Sequence, residues 1–219
     1  MNRVIYTAIF NNYDSVKRPK YVNKDYDYYL FVDEETYISQ FKSIDGSIYK
    51  VVVFKDVENG FMKAKDIKIN PEKYLSEYDS SIYVDGSFLQ VGDVNYLLNQ
   101  SKNTYQMCKH PRRDCAYQEA TICLNQRLDV PAIIKSQMEK YFEEGFPTQY
   151  GLSMGGIIAR THNKKSKKIN SLWWKEIVSG SKRDQLSVNY VLWKLREEIG
   201  FSDYDGSINS VFELKQHTK

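Results

Sequence analysis

"SIYVDGSF" (residues 81–88) is the stretch on which the fold turns. Ile82, Tyr83 and Val84 are strong strand formers, and they run straight into Asp85-Gly86-Ser87. A surface turn is one explanation, since Asp, Gly and Ser are the residues turns favour. A metal or phosphate site at the mouth of a sheet is the other. The elements on either side bear on the choice.

Upstream, Val4–Phe10 predicts a first strand, followed by the polar loop "NNYD" (11–14). Tyr28–Val32 predicts a second strand ending in Asp33-Glu34-Glu35, and Tyr49–Phe54 a third. Phe61–Leu75 is a helical or irregular segment leading into the strand at Ser81–Val84. Downstream, "GDVNYLLNQS" (92–101) and Tyr117–Asn125 read as helices. "DVPAIIKSQMEKYFEEG" (129–145) is a helix with Asp129 as cap, Pro131 in the first turn and Gly145 as stop. "GLSMGGIIAR" (151–160) is a glycine-rich strand. "NSLWWKEIVSG" (170–180) is a helix capped by Asn170, and "RDQLSVNYVLWKLREEIG" (183–200) a longer one stopped by Gly200. A short strand, Ser210–Leu214, closes the chain. Short buried strands alternating with helices predict an α/β fold: a mixed, mostly parallel sheet flanked by helices, in a single domain over 1–219. The lysine-rich "HNKKSKKIN" (162–170) reads as a solvated loop, or as a lid or contact to an anionic acceptor or phosphate.

The 219 residues suffice for one sizeable core. A net charge of +3 with no dominant basic face visible in the sequence argues against a nucleic-acid partner. The first apolar run is too short for a signal peptide, and no run approaches the ~18 apolar residues of a membrane span. The expected location is cytoplasmic, with room for a peripheral membrane contact. Cys108, Cys115 and Cys123 lack zinc-like pairing and read as reduced thiols.

Ligands of open α/β sheets sit beyond the carboxyl ends of strands. Thr7 with the 11–14 loop, Asp33, Asp85 with Ser87, and His217 in the tail all fit such a place. Each alone reads as a turn or terminal residue; together they predict a nucleotide site. A carboxylate such as Asp85 suits Mg²⁺ or Mn²⁺, which would clamp a diphosphate, and Gly86 would permit close approach. Asp184 opens a helix beside Gln185: it either complements the helix dipole or belongs to a polar site with Gln185 and Asn189. In "KHPRRDCAYQEA" (109–120), Arg113 suits bidentate binding of phosphate or carboxylate, and equally a structural pair with Asp114 or Glu119. Lys65 and Lys68 are candidates for charge against a departing diphosphate.

In order, these strings resemble a glycosyltransferase of the GT-A fold. "IYVDGS" stands where those enzymes have Asp-x-Asp, with Ser87 in the second aspartate's place. "RDQLSVNYVL" is similar to the Asp-Gln-x-x-x-Asn helix start of the glycogenin-like family 8 of retaining glycosyltransferases. "VIYTAIFNNYD", "YYLFVDE", "SIYVDGS", "HPRRDCAYQEA", "LWWKEI" and "RDQLS" together resemble the glycosyltransferase-like domain family that includes plant turgor-regulation and mucilage-related proteins. The resemblance implies a nucleotide-sugar donor, UDP-linked, a glycan or lipid-linked oligosaccharide acceptor, and a divalent metal held by Asp85, Ser87 and His217. Thr7, Asn12, Tyr13 and Asp33 would border the nucleotide, with Lys65, Lys68 and Asp85. Asp184 and Gln185 would line the sugar as catalytic residues, and Arg113, Gly155, Gly156 and His162 would meet sugar or acceptor. Two rivals remain. A nucleotidyltransferase would carry a glycine-rich loop after the first strand, and "TAIFNNYD" has none. A silent nucleotide- or sugar-binding protein is compatible with Ser87.

Overall fold

The computed structural model describes residues 1–99, 104–195, 201–204 and 207–215. Its centre is a seven-stranded sheet. The strands are β1 (Arg3–Ile9), β2 (Asp27–Asp33), β3 (Lys50–Phe54), β4 (Ser80–Val84), β6 (Tyr105–Lys109), β7 (Ser153–Thr161) and β8 (Phe201–Tyr204), in the order β3-β2-β1-β4-β7-β6-β8. A small second sheet pairs β5 (Phe88–Gln90) with β9 (Phe212–Leu214), antiparallel. Among the described strands of the large sheet only β7 runs against the rest. The expected α/β class and mixed, mostly parallel sheet are what the chain forms.

Burial explains the strand sequences. β4 is buried at all five positions, as a central strand covered on both faces must be. Alternation then sorts its side chains. Tyr83 joins Tyr6, Tyr105, Trp173 and Leu186 on one face. Ile82 and Val84 join Ile5, Ile157 and Phe212 on the other. The first face is covered by α3 (Gly60–Ile69), α5 (Ala116–Asn125), α6 (Pro131–Glu143), α7 (Lys164–Ser179) and α8 (Gln185–Lys194). α4 (Asn95–Asn99) packs on the second, and α1 (Glu34–Ser39) with α2 (Phe41–Ile44) lies beyond β2.

Several boundaries differ from the sequence reading. α7 begins at Lys164, not Asn170. Asn163 caps it in a reciprocal capping box with Ser166, so "HNKKSKKIN" is the start of a helix rather than a loop. Asn170 is buried inside that helix, bonded to Arg160 and Glu72. Asp129 does not cap α6, whose N-cap is Val130. Its carboxylate instead accepts from Ser181 Oγ and Lys182 N, tying the start of α6 to the turn before α8. Gly145 stops α6 as expected, at φ +82°. Gly200 lies outside the described residues. The closing segment forms a 3₁₀ turn (Ser207–Ser210) before β9. β5, β6, β8, α1 and α2 are additional elements.

The ends of β4 matter most. β7 finishes at Thr161, paired with Ser80, so His162 and α7 emerge at the amino end of β4. His162 Nε2 lies 2.8 Å from Ser81 Oγ. Ser81 and Asp85 are separated by roughly 13 Å of extended chain at ~3.3 Å per residue. His162 and the lysine cluster therefore stand at the opposite edge from Asp85. The expectation that His162 meets sugar, and that 162–170 forms a lid over it, does not hold.

His162 has a different consequence. Its Nδ1 is buried without a hydrogen-bond partner. Burial first, then the charge of Arg160, lowers its pKa to about 4. An unfolded histidine titrates near 6.5, so the unfolded chain takes up this proton first. Stability is unaffected above that value and falls as pH drops from about 6.5 towards about 4. The loss is at most about 3 kcal/mol, less any solvent screening. Chemical denaturation at pH 7.5 and pH 5 should show a larger loss in wild type than in His162→Asn. Equal losses would mean that His162 is not the titrating group.

Candidate functional site

Asp85 follows the carboxyl end of β4. Its amide donates to Gly156 O on β7 at 2.8 Å, and its carbonyl accepts from Phe88 N, closing a turn. Its Oδ1 accepts from Ser87 N and Ser87 Oγ at 3.2 and 3.0 Å. Ser87 is buried, and its hydroxyl donates to Asp85, orienting that carboxylate. Gly86 is needed for close approach: a Cβ there would stand 2.8 Å from Asp14 Cβ and 2.9 Å from Asp14 Oδ2. The buried Asp14 is thus pressed against the Asp85 turn, a neighbour sequence spacing did not reveal.

Lys17 completes this side. Its ammonium donates to Gly86 O and, at 3.3 Å, to Ser15 O. Burial lowers its pKa, while the negative charges of Asp14 and Asp85 pull the other way, so all three sit within one field. Lys17 was not among the expected site residues; nothing in "DSVKRPK" marks it.

The 11–14 loop is built by Asp33. One carboxylate oxygen accepts from Asn11 N at 2.8 Å, and the other from Thr36 N at 2.8 Å, capping α1. Asn11 and Asn12 adopt left-handed φ of 54° and 51°, which Asn tolerates. Asn12 is held by Thr36, Glu35 and Ser39. Asp33 and Asn12 therefore shape the loop, and Tyr13 on it is half exposed. Thr7 is buried; its Oγ1 has no hydrogen-bond partner and lines a cavity of about 20 Å³, bordered also by Lys17, Asp85 and Gly86. That is room for one water.

Asp184 forms the other side. It sits at the N-cap of α8 but makes no side-chain capping bond. Its carboxylate turns instead to two ammonium groups: Lys68 Nζ is hydrogen-bonded to Oδ2, and Lys65 Nζ stands 3.7 Å from Oδ1. Burial alone would raise the Asp184 pKa; Lys65, Lys68 and Arg183 outweigh it and hold the carboxyl well below the usual range. Asp184 thus makes no cap, and its partners are Lys65 and Lys68 rather than Gln185 and Asn189. Gly155 makes room for it, since a Cβ there would lie 2.7 Å from Lys68 Nζ and 2.9 Å from Asp184 Oδ2. Gly156 accommodates the Phe88 ring in the same way. The two glycines thus serve packing. Gln185 is partly exposed beside Asp184, and Asn189 holds the start of β7 through Ser153 N at 2.8 Å.

The two sides form one cluster. The buried Tyr83 phenol is pushed up by burial first and then by Asp85, Tyr6, Asp184 and Asp14, while Lys68 Nζ lies 5.3 Å from the centre of its ring. Three carboxylates and three ammoniums meet around the carboxyl end of β4. Arg113 stands apart from this pairing. Its Nε donates to the buried Glu119 at 2.6 Å, the structural alternative weighed for it.

The donor set suits a divalent metal poorly. Among the described residues no three His, Cys, Asp or Glu side chains converge as metal ligands. The two carboxylates that do converge, Asp14 and Asp85, already have the Lys17 ammonium in their field. His217 lies outside the described residues, two positions after Lys215, whose amide is bonded to Ser87 O. No helix among the described residues is long and apolar enough to cross a membrane.

Comparison with known proteins bears on the family and the fold. The chain is 27% identical over 216 residues to the probable hexosyltransferase MUCI70 of Arabidopsis thaliana, covering 88% of this chain and 37% of that protein. It thus spans little more than a third of that relative. In fold it is similar to the bifunctional glycosyltransferase WbbM, with a TM-score of 0.54 and 12% identity over 93% of this chain and 38% of the other. It is also similar to mouse xyloside xylosyltransferase 1, with a TM-score of 0.51 and 7% identity over 93% and 84%. At these identities the likeness is one of fold, the GT-A arrangement. The profile of the TOD1/MUCI70 glycosyltransferase-like domain matches residues 1–215, and the chain belongs to that family.

Proposed function

We propose that this domain is a glycosyltransferase that moves a hexose from a UDP-sugar to a glycan acceptor. The observation that carries the reading is the charge cluster at the carboxyl end of β4, with Asp85 on one side and the Asp184–Lys65–Lys68 triad on the other. Asp85 spends Oδ1 on Ser87, and the side-chain bonds of the described residues leave Oδ2 available to accept from a ribose hydroxyl. Lys65, Lys68 and Arg183 outnumber Asp184, so the second side keeps a positive balance for the departing diphosphate. The exposed Tyr13 offers a face for the uracil ring. The family assignment and the probable hexosyltransferase relative support the same reading.

The state of Asp184 bears on stereochemistry. An aspartate held far below the usual pKa by two lysines is a poor proton acceptor. That disfavours Asp184 as the base of an inverting reaction. It favours a fixed negative charge beside an oxocarbenium-like sugar, and hence retention.

The test is UDP binding and UDP-sugar hydrolysis by wild type and Asp85→Ala. Asp85 is a strand-end residue outside the core, so the variant should melt close to wild type. Its UDP affinity should fall about tenfold or more, the scale of one or two lost charge-assisted contacts. Unchanged affinity and turnover would make Asp85 a turn residue and misplace the site.

A further inference from the structure

We propose that Lys17 is the resident cation of the nucleotide site, held on the Asp85 turn in place of a divalent metal, so that this chain binds its donor diphosphate without metal. The inference rests on the UDP-sugar reading above but on separate observations. The Lys17 ammonium is anchored by two carbonyl oxygens, Gly86 O and Ser15 O. One of them belongs to the Asp85 turn itself. Carbonyl oxygens are hard donors of the kind a divalent cation takes, and here two of them hold an ammonium on which the charges of Asp14 and Asp85 act.

Three further features point the same way. Ser87, in the place of a second carboxylate, is buried and bonded to Asp85, so the turn supplies one carboxylate instead of two. Asp14 restores a second negative charge, but from a different loop and packed against Gly86. With Lys17 the group carries a net charge of −1: the lysine offsets one of the two negative charges, and an added divalent ion would have to be held against the ammonium. Tyr49 OH donates to Lys17 O at 2.9 Å, pinning the backbone that carries the lysine. Burial depresses the lysine's pKa, and the charges of Asp14 and Asp85 oppose that effect.

Mn²⁺ alone is the first probe, because it needs no nucleotide. Calorimetric titration should find Mn²⁺ binding by Lys17→Met about tenfold tighter than by wild type, since removing one ammonium a few ångströms away removes a strong repulsion. Lys17→Gln serves as a second variant should the methionine disturb folding, and thermal unfolding verifies each. Equal Mn²⁺ affinity in wild type and variant, whether tight or absent, overturns the proposal. The second probe is UDP, titrated in EDTA and in Mn²⁺. Wild type should bind equally in both, and Lys17→Met should bind only with Mn²⁺. Wild-type UDP binding that requires Mn²⁺ also overturns the proposal. Absence of UDP binding under both conditions removes the donor reading instead, and the Mn²⁺ comparison still decides the role of Lys17.

Discussion

Asp184→Asn should lower sugar transfer by a factor of roughly 100 or more, the usual cost of one preorganised electrostatic contact. Nucleotide binding should change little, because the proposed nucleotide contacts, Asp85, Lys17 and Tyr13, lie on the other side of the cluster. A second effect follows from the triad. Lys65 and Lys68 are nearly as buried as the carboxylate, with side-chain exposures of 12% and 8%. Removing the negative charge leaves two ammoniums facing each other with no counter-ion, which costs about 3–5 kcal/mol when such a pair is broken. A helix cap would behave differently: Asn caps as well as Asp, and the change would cost almost nothing. The two effects separate in the double variant Asp184→Asn/Lys68→Met. Removing one lysine with the carboxylate relieves the uncompensated charge, so stability should recover in part while transfer stays lost. Wild-type transfer by the single variant would sink the catalytic role of Asp184. An unchanged denaturation midpoint would sink the triad as a stabilising unit.

What the sequence makes legible is the part dictated by short-range physics. Continuous apolar runs such as Val4–Phe10 and Ser81–Val84 can only be buried strands once a sheet forms around them. Their polar exits at Asn11, Asp33 and Asp85 follow directly. Asp184 and both lysines were singled out before their partnership was visible, because a carboxylate at a helix start and two lysines before a strand are local signals. The partnership itself is not local: Lys68 and Asp184 are 116 residues apart. The 11–14 loop that holds Asp14 is legible as a strand exit, but its approach to Asp85, and that of Lys17, is not local either, since only the folded turn at Gly86 brings them there. Asp33 shows the opposite error, a strand-end carboxylate in the expected place whose two oxygens are both used to build the loop. The lysine run at 164–168 was misplaced because one capping residue, Asn163, converts an apparent loop into a helix, and because β7 reverses direction and delivers it to the far edge.

β6, the strand Tyr105–Lys109, was also missed. Tyr105 and Met107 point to one core and Cys108 to the other, but Gln106 and Lys109 interrupt the apolar pattern. Gln106 is buried at 3% exposure, a polar residue whose burial no pattern rule anticipates. Irregularity adds to this: the β6–β7 register shifts between Met107 and Cys108.

Arg160→Met should be the most damaging substitution in the floor of the site. Arg160 is 1% exposed on β7, and among the described residues no carboxylate is bonded to it. Its guanidinium donates instead to Lys68 O at 2.7 Å, Ile69 O at 3.1 Å, Tyr6 OH at 3.1 Å and Asn170 Oδ1 at 3.2 Å, with the Tyr105 ring 5.2 Å away. Two of these acceptors are the last carbonyls of α3, where a cation also complements the helix dipole. The planar fork thus ties β7, β1 and α7 to Lys68, the partner of Asp184. Methionine fills similar volume but takes the guanidinium donor from Ile69 O and Asn170 Oδ1, at about 1–3 kcal/mol for each that water cannot reach, while Lys68 O keeps the Tyr6 hydroxyl at 3.0 Å. The expected loss is about 3 kcal/mol or more, a large share of the ~5–15 kcal/mol typical of a domain. With the C-terminus of α3 released, Lys68 should lose its fixed place on Asp184, and transfer should fall with stability while UDP affinity holds. Arg160→Lys keeps the charge but cannot span four acceptors, so it should fall between methionine and wild type in both measurements. Urea denaturation with parallel UDP titration distinguishes these outcomes: a methionine variant within ~0.5 kcal/mol of wild type, below the spread expected for an ordinary surface change, would mean that α3 is held by its apolar contacts and not by Arg160.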